Sequence, residues 1–183
     1  MPRLTVLSCL ALAGCASSGA TTGSSSSQET LRISGGVGLP TMTVDTHPTS
    51  ASAPIVVGFA LDRSWPALRV AFDSIALPVA AVDAATHTIS TASLRVRRRL
   101  GDVPMSKYIN CGNTQGGNSA DSYEIILSVS TRAQPGESGT TSLVTSVEAQ
   151  GRPITLAGEY TRCTSTGGLE MRIAQLVTAQ LNR

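Results

Sequence analysis

The chain has 183 residues, a formal net charge of +2 and an apolar fraction of 41%, yet only 3% aromatic residues. That length suits one domain plus a tail, with a core built mainly from Val, Ile, Leu and Ala. So small a charge gives no ground for a nucleic-acid partner.

Leu4 to Ala13 is an apolar run interrupted only by Thr5 and Ser8, and Arg3 supplies a single positive charge before it. As a helix it would rise only about 15 Å, half of a roughly 30 Å hydrocarbon core. It is too short for a permanent span and has the size of a signal-peptide apolar region. The run closes on Leu12-Ala13-Gly14-Cys15. This tetrapeptide resembles the lipobox of bacterial lipoprotein signal peptides. The resemblance implies cleavage before Cys15 and a diacylglycerol on its sulfur, which attaches the protein stably to a membrane at ~0.8 kcal/mol per buried CH₂. It also implies that Ala16, following the acylated cysteine, favours the periplasmic face of the outer membrane.

On that reading Cys9 leaves with residues 1–14, Cys15 carries lipid, and Cys111 and Cys163 remain in the folded part. A lone pair in an exported protein is most simply a disulfide. Closing a loop of that size stabilises a domain by ~4 kcal/mol on the chain-entropy model. A metal site would need further ligands; the two histidines, His47 and His87, lie far away in sequence, and no C-x-x-C is present. Neither a metal nor a cofactor is expected.

Residues 15–53 read as a lipidated terminus and linker. Ala16 to Thr30 is almost wholly Ser, Thr, Gly and Ala, a flexible tether with an end-to-end distance of about 20 Å. Leu31-Arg32-Ile33 and Met42-Thr43-Val44 each suit a short edge strand between breaks at Gly35, Gly36, Gly38, Pro40 and Pro48.

The globular domain spans 54–183. Ile55 to Leu61 reads as a buried strand. Ser64 offers an N-cap and Pro66 a first-turn proline for a helix whose apolar face is Trp65, Leu68, Phe72 and Ile75. Val79–Asp83 and Thr88–Leu100 read as strands about a turn at Ala84–His87. Asp121–Arg132 alternates, with Tyr123, Ile125, Leu127 and Val129 on one face and Glu124, Ser128 and Ser130 on the other. Thr140–Gln150 repeats the pattern through Leu143, Thr145, Val147 and Ala149, and the turn cluster Gln134–Gly139 makes the two a hairpin. Leu169, Ile173, Leu176, Val177 and Leu181 mark a closing helix, with Glu170 complementing its dipole. The expected fold is α+β: an antiparallel sheet packed on one face by two helices, a helix-grip-like two-layer sandwich.

Arg95, Arg97, Arg98 and Arg99 form the one charge run. On a single strand Arg95, Arg97 and Arg99 share a face, a basic stripe for a partner or a charged edge guarding against aggregation. The glycine-rich segment Cys111–Asn118 lacks a phosphate-loop lysine and a following helix, and reads as a loop pinned by the disulfide. No G-x-S-x-G, H-E-x-x-H or S-x-x-K arrangement occurs, and the aspartates are scattered at caps and turns. No catalytic residue is assigned.

In element order alone, residues 54–183 resemble the helix-grip domains of the C-component lipoprotein of the outer-membrane β-barrel assembly machinery. With the lipobox, this implies a non-enzymatic, lipid-anchored envelope lipoprotein. Its head would bind an envelope protein, with the membrane engaged through the lipid. The alternative is a carrier or sensor holding an apolar molecule between helices and sheet.

Overall fold

The computed structural model describes residues 52–114, 116–155 and 158–183, with the strands Thr30–Arg32 and Thr43–Asp45. Cys15, the apolar run, the serine-rich stretch and His47 lie outside the described residues. The chain divides into two compact units, Met1–Thr46 and His47–Arg183. In the first, Thr30–Arg32 and Thr43–Asp45 pair antiparallel with Leu31 opposite Val44. These segments are therefore partners of one another.

The second unit is an antiparallel sheet with two helices. In chain order its elements are β1 (Ile55–Val57), α1 (Leu61–Ser74), β2 (Ala81–Asp83), β3 (Thr88–Arg97), β4 (Ile109–Asn110), β5 (Tyr123–Pro135), β6 (Thr141–Pro153), β7 (Thr161–Ser165) and α2 (Gly168–Leu181). The seven strands run β2-β3-β5-β6-β7-β4, and β1 also pairs with β6. β5 and β6 pair along their whole lengths, from Tyr123 opposite Pro153 to Pro135 opposite Thr141. The free side of β6 is shared by β1 at Thr141–Leu143 and β7 at Ala149–Gly151.

Alternation decides which face is covered. Ile125, Leu127, Val129 and Ala133 of β5 are buried, as are Leu143, Val147 and Ala149 of β6. Against them pack Leu68, Ala71 and Phe72 of α1 and Leu169, Ile173 and Val177 of α2. Within this layer the Thr131 and Thr145 hydroxyls, both buried, bond to each other at 3.0 Å, which satisfies groups that are costly to leave unpaired.

Three local expectations change. α1 starts at Leu61, because the Ala60 carbonyl accepts from the Arg63 and Ser64 amides at 3.1 and 3.0 Å. Ser64 is therefore not the cap; it is buried inside the helix, donating its hydroxyl to the Phe59 carbonyl at 3.3 Å. Pro66 consequently sits within the helix rather than in its first turn.

The expected strand Thr88–Leu100 is broken twice. A bulge opposite Ser128 adds a residue to β3 between Thr91 and Leu94, where Ser93 has φ +49°. The bulge resets the side-chain parity, so Ile89 and Thr91 before it and Val96 after it are all buried. Arg98 then takes φ +64°. Beyond it, Arg99–Leu100 pairs with Val103–Pro104 as a separate ribbon. β7 and β4 are short and carry no clear alternation in sequence; they pair through Thr164 opposite Asn110 and Ser165 opposite Ile109, beside a bridge.

That bridge is a disulfide between Cys111 and Cys163, 52 residues apart. It ties the segment after β4 to β7, which leads directly into α2. Gly151 makes room for it: a Cβ there would lie 3.1 Å from Cys163 Sγ and 2.8 Å from Ile125 Cδ1. At the start of α2, a Cβ on Gly168 would collide with the Lys107 carbonyl oxygen. Glycine at these two positions lets backbone and bridge approach closely.

Candidate binding surface

The face of the sheet turned away from α1 and α2 carries a charged cluster centred on Glu124. This residue lies on the polar side of β5, yet is only 4% exposed. The reason is register: Glu124 stands directly opposite Arg97 of β3 on one side and Arg152 of β6 on the other. Arg97 donates to Oε2 through Nε at 3.0 Å and Nη2 at 2.6 Å. Arg152 Nη2 reaches Oε1 at 3.0 Å, and the Tyr160 hydroxyl donates to the same oxygen at 2.6 Å. Arg95 Nη1 approaches it at 3.8 Å. The Arg152 guanidinium also lies 4.7 Å from the centre of the Tyr160 ring, a cation–π contact.

The electrostatics follow from this cage. Hydrogen bonds from Tyr160 and Arg97 hold the Glu124 carboxyl down to about 2. Tyr160 shifts the other way, because its hydroxyl is committed to that carboxylate. An acid with so low a pKa stays ionised at neutral pH and is poorly matched to general acid–base work. Its physical role is that of a buried counter-ion orienting Arg97, Arg152 and the phenol.

Beside the cluster runs a groove of about 620 Å³ whose lining includes Ser93, Ser128, Glu148, Gln150, Tyr160 and Arg162. Across it the strands align Arg95 with Ile126, Ile126 with Gln150, and Gln150 with Arg162. The Ser93 amide donates to Ser128 Oγ at 3.1 Å. A shallower depression of about 180 Å³ continues past Ser128 and Glu148 to Ser90, Ser130 and Ser146. Hydroxyls thus floor the middle of this face, and arginines crowd one end.

Of the expected stripe, Arg95 and Arg97 are brought together on this face, each more than half exposed. Arg99 is not with them. The left-handed turn at Arg98 carries it into the following ribbon, where its guanidinium bonds the Asp102 carbonyl. Sequence alternation placed Glu124 on the polar face but gave no sign of its burial. Arg152 and Tyr160 were missed, because only strand register and the return of the chain after β6 bring them to it. Cys111 and Cys163 are joined as expected. His87 meets the Trp65 ring edge-on at 5.4 Å.

A second groove, about 410 Å³, lies at the edge where β1 meets α2 and is lined by Ile55, Val56, Val57, Met171, Ala174 and neighbouring residues. Val56 is 62% and Met171 49% exposed. Between the helices and the sheet, by contrast, Leu68, Phe72, Ile125, Leu127, Leu169 and Ile173 are fully buried.

Fold and surfaces together define an α+β domain: a disulfide-bonded antiparallel sheet with two helices on one face and a charged groove on the other. No protein-family model matches the chain, and no curated protein matches its sequence.

Proposed function

We propose that this is a non-enzymatic, lipid-anchored envelope lipoprotein whose head binds a protein partner as an accessory to envelope assembly. The lipobox-like Leu12–Cys15 supports the anchor, at the periplasmic face of the outer membrane. The Cys111–Cys163 bridge suits such an oxidising compartment. No helix among the described residues is long and apolar enough to cross a membrane.

One observation carries the binding role. At the β1 edge, Val56 and Met171 expose apolar surface beside a strand that pairs, among the described residues, only with β6. An extended partner segment adding to β1 would gain backbone hydrogen bonds there and seat its side chains in the groove against α2.

Two experiments test the reading. Cys15→Ala should abolish acyl labelling and membrane association, and unchanged behaviour would remove the anchor. A photo-crosslinker at Val56 or Met171 should give one discrete protein adduct in intact envelopes, suppressed in the first case by Met171→Asp. The docking edge fails if no adduct forms, or if a probe at exposed Ser74 of α1 captures the same protein equally well.

A further inference from the structure

We infer that one end of the sheet, where β3 and β6 finish and β5 begins, is a contact surface for an anionic phospholipid bilayer. The inference needs neither the docking edge at β1 nor a lipid on Cys15, and its test omits that lipid.

Charge is segregated to this end. Residues 52–183 hold twelve basic residues and ten acids. Six of the bases, Arg95, Arg97, Arg98, Arg99, Arg152 and Arg162, lie on the last residues of β3 and β6, on the ribbon that follows β3, or on β7 beside them. Within residues 95–102, 124 and 152–162 the acids are Asp102, Glu124 and Glu159. The remainder has six bases against seven acids, so the positive excess belongs to this end.

Pairing inside the cluster does not cancel that excess. The single carboxylate of Glu124 is shared by Arg95, Arg97 and Arg152, and Arg99 bonds a neutral carbonyl, that of Asp102. Arg95 and Arg97 keep 67% and 63% of their side-chain surface exposed, and Arg98 and Arg99 are exposed as well. A negative surface attracts such a patch as a whole, without any guanidinium leaving its partner.

Breadth and composition favour a bilayer. From β3 through β5 and β6 to β7 the arginines cover four strands, about 14 Å at normal strand spacing. That is too wide for one small anion and suits several headgroups. Ile154, immediately past β6, is 40% exposed. Tyr160 stands where the chain returns toward β7, its ring centre 4.7 Å from the Arg152 guanidinium. An aliphatic tip and a tyrosine among arginines match the water–hydrocarbon boundary, where charged heads and phenols stay at headgroup level and the aliphatic group enters deeper.

The test uses the full chain carrying Cys15→Ala, sedimented with phosphatidylcholine vesicles with or without phosphatidylglycerol. The apolar run Leu4–Ala13 is common to every sample, so the neutral vesicles account for its contribution. Phosphatidylglycerol should increase binding, and added salt should remove the increase. Arg98→Gln with Arg99→Gln should reduce the increase roughly fivefold for each charge lost. Arg69→Gln, an exposed change on α1, should leave it intact, and circular dichroism establishes that each variant is folded. Depth is read with bromine-labelled lipids, which quench tryptophan. Trp65 is the chain's one tryptophan and touches His87, at the opposite end of β3; it should stay bright, whereas Ile154→Trp should add a strongly quenched signal. The inference is overturned by equal binding to neutral vesicles, by an equal loss per charge in Arg69→Gln, or by an unquenched tryptophan at 154. If that tryptophan stays unquenched while polyglutamate displaces the protein from vesicles, the patch belongs to an acidic protein instead.

Discussion

The two faces of the sheet are made from the same strands, residue by residue in alternation, and they solve opposite problems. Toward the helices, Leu127, Val129 and Leu143 exclude water and fill space. Toward solvent, Glu124, Ser128, Ser130 and Gln150 meet water, arginines and a groove. One face tolerates almost no change of volume, since its contacts are close-packed. The other is organised by hydrogen bonds whose partners come from separated parts of the chain. Burial by packing and burial by charge pairing are therefore distinct within one strand, and Glu124 is the residue that shows it.

Substitutions can break or sharpen that contrast. A loss as large as any expected from repacking comes from the disulfide clamp, whose Cys163 belongs to the packed face. Cys111→Ser with Cys163→Ser should lower unfolding free energy by ~4 kcal/mol on the chain-entropy model, read from urea denaturation against the unreduced parent. On the packed face, Leu127→Ala should cost ~2–5 kcal/mol through lost burial and an unfilled cavity, with the urea slope unchanged. An effect below one kilocalorie there would contradict the packing described.

The buried hydroxyl pair sits between these regimes. Thr131→Val should cost ~1–3 kcal/mol by leaving the Thr145 hydroxyl unpaired. Adding Thr145→Val should restore most of it, a coupling that a double-mutant cycle measures directly.

On the open face Arg95→Ala should give the smallest effect, because that side chain remains mostly hydrated, whereas buried Glu124 carries a pH signature. The Glu124 carboxyl is lowered to about 2 in the folded protein, against about 4.3 in an unfolded chain. The unfolded state therefore binds this proton first as pH falls. The contribution is fully present above the unfolded value and is lost as pH drops through the folded one. Glu124→Gln should flatten this part of the stability profile, measured by denaturant midpoints across acid pH. An unchanged acid slope would show that the cage does not couple to folding.

Much of the fold was legible because hydrophobic periodicity is local. The β5–β6 hairpin could be read from Ile125, Leu127, Val129, Leu143 and Val147, and both helices from their apolar faces; these residues then close one core. The boundaries were less legible. Ser64 and Pro66 looked like a helix start, but carbonyl geometry at Ala60 places that start earlier. Arg99 looked aligned with Arg97 until a single left-handed residue, Arg98, turned the chain away. Such a backbone state leaves little trace in residue type when the residue is arginine rather than glycine.

The amino-acid order alone pointed to the α+β class, the central hairpin and much of the buried face of each helix, since each follows from spacing; the pairing of Cys111 with Cys163 was expected only through the lipobox resemblance, which sets Cys9 and Cys15 aside. The tertiary structure decided the rest: which arginines meet Glu124, how Tyr160 returns to it, and where grooves open beside β1 and above the serines. Those features depend on strand register and on a bulge that resets it. A shift of one residue in pairing exchanges the two faces of a strand, and no local pattern specifies which distant side chains then meet.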